Sequence, residues 1–139
     1  FYKYTKGRYE EAYPDICYQK WTKKYYLGGA GEYTRLEKAE GLDRTAARMS
    51  ASYGKFQIMG FNFAICGYTS VDSYYDAMQV DEGQHLSAFI GYVKHVGLDK
   101  VLREHRWIDF AKRYNGPEYW KNSYDKKIAD AYKKYSKQA

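Results

Sequence analysis

Long apolar runs are missing from this sequence: nowhere do about 18 apolar residues follow one another, so no transmembrane helix is expected. Cysteine is scarce, with only Cys17 and Cys66. That excludes a disulfide framework and leaves two readings open, a single bridge or two buried thiols. Neither cysteine lies in a CxxC, and the three histidines (His85, His95, His105) have no ligand spacing with them. No metal site and no cofactor are expected. With Pro14 and Pro117 as its two prolines, the chain contains no Pro-rich linker. No charged segment followed by an apolar core opens the residues, so no secretory signal is read there.

What is present describes one globular domain. The 139 residues suit a single domain, 1–139. Charged residues make up 29% and hydrophobic ones 45%, a composition that excludes disorder. Basic residues outnumber acidic ones, 23 to 17, for a net charge of +6. Several cluster toward the ends: Lys3, Lys6 and Arg8, then Lys126, Lys127, Lys133, Lys134 and Lys137. This favours an anionic partner: nucleic acid, a membrane surface or a bacterial envelope. Nucleic acid is the weaker reading, because no helix-turn-helix or RNP pattern accompanies the charge and the cations are scattered. Eighteen tyrosines supply rings with an apolar face and a polar tip, suited to stacking on sugars as well as to a core.

The periodicity is helical. Residues 1–30 lack a clear period, with turns at Pro14 and Gly28-Gly29. Good helix formers run from Glu32 to Glu40 and stop near Gly41; Asp43 can cap a second short helix to about Met49. Ser70 can cap Val71 to Met78. Leu86, Phe89, Ile90, Val93 and Val96 fall on one helical face, predicting a central buried helix with Gly97 as its stop. Two short helices, Leu98 to His105 and Trp107 to Tyr114, precede the break at Gly116-Pro117. Tyr124, Ile128, Ala131, Tyr132 and Tyr135 mark the stripe of a last helix. The fold class is mainly α.

Two stretches fit no period. Ala51 to Gly60, ASYGKFQIMG, places Gln57 inside an apolar run, with Gly54 permitting a tight turn or a close approach. A buried amide there needs both donors and acceptors, and capping of neighbouring backbone would satisfy it. Tyr114-Asn115-Gly116-Pro117 ends a helix with a ring, a hydroxyl and an amide side by side, groups able to stack on a sugar and grip an N-acetyl group.

The order of these stretches resembles the lysozyme-like superfamily of goose-type lysozymes and lytic transglycosylases. Ser52-Tyr53-Gly54-Lys55-Phe56-Gln57-Ile58-Met59 is similar to its Ser-x-Gly-x-x-Gln-x-Met wall. Tyr114-Asn115-Gly116-Pro117 is similar to its Tyr-Asn-x-Gly-Pro segment, without the spacer. Four segments, 13–17, 32–37, 50–68 and 110–132, look more like the phage endolysin N-acetylmuramidase family. That resemblance implies a helical lysozyme-like domain of a phage or prophage product acting on the cell wall in the periplasm, as a monomer without membrane insertion. Its substrate would be peptidoglycan, cut at the β-1,4 bond between N-acetylmuramic acid and N-acetylglucosamine. It further implies that Ser52, Gln57, Tyr114 and Asn115 line one glycan groove, Gln57 pointing in while Phe56, Ile58 and Met59 anchor the segment. The family's general acid is a Glu in a Glu-Ser-Gly-Gly-like segment. No Glu-Ser pair occurs here, so the acid is expected upstream of Phe1 and no catalytic residue is assigned. Glu10 and Glu11 read as solvated, and Arg35 and Lys38 beside Glu32 and Glu37 disfavour a protonated carboxyl. A silent peptidoglycan-binding module with the same fold is the alternative.

Overall fold

A computed structural model describes residues 1–137 and is mainly helical. The helices are α1 (Tyr2–Thr5), α2 (Gly31–Ser50), α3 (Val71–Ala77), α4 (Glu82–His95), α5 (Asp99–Arg103), α6 (Trp107–Asn115) and α7 (Tyr124–Tyr135). Short 3-10 turns occupy Gly60–Asn62 and Tyr119–Asn122. Between α2 and α3 lies a two-stranded antiparallel hairpin, β1 (Ser52–Tyr53) with β2 (Ile58–Met59), paired Ser52 to Met59 and Tyr53 to Ile58. The chain forms two compact units, Phe1–Tyr92 and Val93–Ala139. No helix among the described residues is long and apolar enough to cross a membrane.

In the first unit, the two helices expected on either side of Gly41 form one element, α2, kinked at Asp43 (φ −160°, ψ 99°). The kink is the expected cap: Asp43 Oδ1 accepts from the Ala46 amide at 2.9 Å. The Leu42 carbonyl is taken by the Tyr9 hydroxyl at 2.7 Å. Ser70 caps α3 in a reciprocal box with Ser73, satisfying two amides that the helix start leaves open. The core gathers Tyr53, Ile58, Cys66, Tyr74, Met78 and Ala88, with Phe56 stacked on Phe89 at 4.3 Å. A second cluster joins Ile16, Ala39 and Ala47. Both cysteines are buried free thiols.

The expected stripe of α4 needs correction. Leu86 and Ile90 are 48% and 41% exposed. The residues of α4 that pack in the first unit are Ala88, Phe89 and Tyr92. Together with His85 they lie at i, i+3, i+4 and i+7, a face rotated from the predicted one. Leu and Ile dominated the sequence pattern. A small Ala, however, permits the closer approach, and Gly91 continues it: a Cβ there would sit 3.0 Å from the Cys66 carbonyl oxygen.

In the second unit, Val93, Leu98, Val101, Phe110 and Ala111 are buried. Gly97 (φ +66°) ends α4 as expected. The Leu98 amide reaches back to the Val93 carbonyl at 2.8 Å and the Gly97 amide to Lys94, the paired bonds of a Schellman stop. His105 (φ +53°) ends α5 with the same pattern, the Arg106 amide bonding the Val101 carbonyl. The segments α5 and α7 both pack on α6.

Candidate functional site

A cleft of about 970 Å³ opens in the first unit, at the upper end of the range for ligand clefts. The hairpin supplies one wall. Gly60 places it: a Cβ there would fall 2.0 Å from the Arg48 carbonyl oxygen, so only glycine lets β2 run against the end of α2. The Gly60 amide donates to the Ala51 carbonyl at 2.8 Å. The end of α2 is itself held by Arg48, a buried cation bonded at 2.6 Å to both Glu40 and Asp72 and lying 3.8 Å above the Tyr75 ring. These partners offset the desolvation of its charge. The Tyr53 hydroxyl donates to the Arg48 carbonyl at 3.1 Å, and burial raises its pKa far above the ordinary phenol value.

The hairpin turn answers the question of Gln57. Its φ of +51° is left-handed, an uncommon region for a residue with a side chain, and it turns the amide outward. Gln57 is therefore exposed on the cleft wall, not buried in the apolar run. Its Oε1 accepts from Ser52 Oγ at 2.8 Å and its Nε2 donates to the Gly54 carbonyl at 3.0 Å. Ile58 is buried and Phe56 half-buried, as expected of anchors, whereas Met59 lines the cleft. Gly54 (φ +69°) passes so close to His85 that a Cβ would meet the ring at 3.0 Å. His85 Nδ1 accepts from the Lys55 amide at 3.3 Å, and Nε2 lies 2.9 Å from the Met78 carbonyl. A neutral ring with its proton on Nε2 satisfies both contacts.

The start of α2 also lines the cleft. Glu32 lines the cleft, and burial pushes its carboxyl upward. The Gly28 and Leu27 amides, at 3.0 and 2.7 Å, and Arg35, at 2.6 Å, outweigh that burial and hold it below the usual range. The amides were beyond sequence reasoning, and Lys38 binds Asp15 rather than a glutamate. Arg35 also reaches the Tyr18 hydroxyl at 3.4 Å and lies 4.8 Å from the Tyr26 ring centre, while its Nε is buried without an acceptor. Glu10, Glu11 and Glu37 are exposed, and Glu40 is bound by Arg48. Among the described cleft residues, no carboxyl stands in surroundings that would keep it protonated near neutral pH.

Ser52 and Gln57 are thus brought together. Tyr114 and Asn115 occupy the last turn of α6, where the Tyr114 ring stacks on Phe110 at 5.2 Å and Asn115 is exposed. Gly116 (φ +91°) ends that helix. Sequence reasoning missed Trp21, Tyr26 and Tyr33, aromatic residues that line the cleft. No period marks the segment of Trp21 and Tyr26, which is rich in Tyr and Lys, while Tyr33 falls in the helix expected from Glu32 to Glu40. Among the described residues, no group of three His, Cys, Asp or Glu is placed to hold a metal ion.

Comparison with known proteins agrees with this geometry. The pattern of the N-acetylmuramidase family matches residues 1–136. The crystal structure of the Burkholderia AP3 phage endolysin is similar at 36% identity and a TM-score of 0.84, over 98% of this chain and 52% of that one. The chain therefore spans about half the length of that endolysin. No curated protein matches.

Proposed function

This chain belongs to the N-acetylmuramidase family, and from that premise we propose that it is the glycan-handling part of a phage-type peptidoglycan muramidase. The bond cut is the β-1,4 linkage between N-acetylmuramic acid and N-acetylglucosamine, by hydrolysis. The observation that supports this reading is the cleft: its lining combines the Ser52–Gln57 amide system with the rings of Trp21, Tyr26 and Tyr33, the two kinds of group a polar-edged, apolar-faced sugar requires. Gln57 and Ser52 are assigned to glycan hydroxyl and N-acetyl groups, and so are Tyr114 and Asn115.

Glycosidic cleavage needs a carboxylic acid that is protonated near neutral pH. Glu32 is held ionised by two amides and a guanidinium, which suits a loop clamp and not an acid. We therefore assign the general acid to a residue that these 139 positions do not supply. The chain alone is expected to bind peptidoglycan fragments and release no new reducing ends, because a positioned acid contributes roughly 10²–10⁴-fold in rate. Mass spectrometry of digests by this chain and by its full parent protein tests this. Products with a reducing N-acetylmuramic acid end from the parent alone support the reading. Such products from the short chain would place the acid within it. Anhydro-muramic products would make the reaction a transglycosylation.

A further inference from the structure

Three large rings on the cleft face solvent: Trp21 is 72% exposed, Tyr33 57% and Tyr26 47%. Exposed rings grouped on one concavity mark a surface kept for a ligand, because folding otherwise gains by covering them. The loop that carries Tyr26 is held at its end. Glu32 clamps the Leu27 and Gly28 amides, and Arg35 supports the Tyr26 ring.

The same segment is strongly one-signed. From Tyr18 to Tyr26 it carries Lys20, Lys23 and Lys24 and no carboxylate. All three lysines are exposed, and among the described residues none forms an ion pair. Lys23 Nζ lies 5.9 Å from the Trp21 ring centre and Lys24 Nζ 5.1 Å from that of Tyr25. The lysines do not line the cleft, whereas Trp21 does. Uncompensated positive charge therefore stands just outside an aromatic rim. The neighbouring cations Arg35 and Lys38 are neutralised by Glu32 and Asp15.

We infer that this rim is a subsite for peptide-bearing glycan, in which Trp21 stacks on a sugar face and Lys23 and Lys24 take the carboxylates of the acidic stem peptide leaving the cleft. The inference rests on the muramidase reading and adds to it a preference for glycan that still carries its stems. Charge complementarity selects this occupant: a neutral chitin-like strand would use the rings and leave the lysines unpaired.

Two probes that contain no cleavable muramic–glucosamine bond test it in calorimetric titrations of the parent protein: the GlcNAc–MurNAc-tetrapeptide and the neutral GlcNAc disaccharide. Trp21→Ala is expected to weaken both by about five- to tenfold. The double substitution Lys23→Ala, Lys24→Ala is expected to weaken only the peptide-bearing probe, about three- to fivefold at low ionic strength, with the difference vanishing as salt screens it. Equal affinity of the double variant for the peptide-bearing probe, or equal losses on both probes, overturns the stem contact. An unchanged Trp21→Ala overturns the stacking. In these cases wild-type binding persists and the muramidase reading survives. Absence of wild-type binding to either probe would remove both together.

Discussion

Replacing Gln57 in two ways separates its part in the fold from its part in binding. In the free protein the Gln57 amide makes two hydrogen bonds, to Ser52 and to the Gly54 carbonyl. Each contributes about 0.5–1.5 kcal/mol net, and exposure favours the lower half of that range. Gln57→Ala should therefore cost about 1–2 kcal/mol. The backbone adds a second term. At φ +51° a side chain costs about 1–2 kcal/mol relative to glycine. Glycine loses roughly 0.5–1 kcal/mol of that advantage through extra chain entropy. Gln57→Gly should then fall within about 1 kcal/mol of wild type, although it has lost the same amide. Chemical denaturation reads the first comparison, and titration with the GlcNAc–MurNAc-tetrapeptide reads the second. If the amide binds glycan, both variants lose affinity several-fold, the stable one included. A Gln57→Gly protein that binds like wild type would refute the ligand role and leave Gln57 as the clamp of the hairpin turn.

Other substitutions probe the supports. Gly60→Ala should destabilise the first unit by about 3 kcal/mol, because its methyl would occupy the place of the Arg48 carbonyl oxygen; urea denaturation with an unchanged midpoint would contradict the close approach. Glu32 has a folded pKa below its ordinary 4.5, so its stabilising contribution is complete above that value and is lost as pH falls through the lower folded one. The stability gap between wild type and Glu32→Gln should accordingly be constant at neutral pH and close in acid; a gap that widens on acidification would refute the assignment. Burial pushes the Cys66 thiol up to about 11, so thiol reagents at pH 8 should modify it only after unfolding; rapid labelling of the native protein would show that the site is open.

The helices and their ends were legible in the sequence because residues a few positions apart decide them. The Asp43 kink, the Ser70 cap and the Gly97 stop each depend on bonds spanning three to five residues. The motif around Gln57 was legible as an exception to both periods, and its family resemblance suggested the class of ligand proposed above. What the sequence could not decide was which apolar residues would be covered. Leu86 and Ile90 make a better stripe on paper than Ala88, but the small side chain lies where the core comes closest.

Nor could the sequence show all that lowers the Glu32 pKa: Arg35 was legible beside it, the two backbone amides were not. Glu32 is fixed by amides four and five residues before it, in a loop whose course depends on Gly28 and Gly29 adopting positive φ. Arg48 reads as a surface cation on a polar helix. It is buried because Glu40, across a kink, and Asp72, on another helix, converge on it with the Tyr75 ring. The cleft itself belongs to this second class. The hairpin is separate in sequence from the aromatic loop and the start of α2 that follows it, and it joins them as a cleft wall where one glycine, Gly60, lets β2 approach the end of α2 more closely than any side chain would allow.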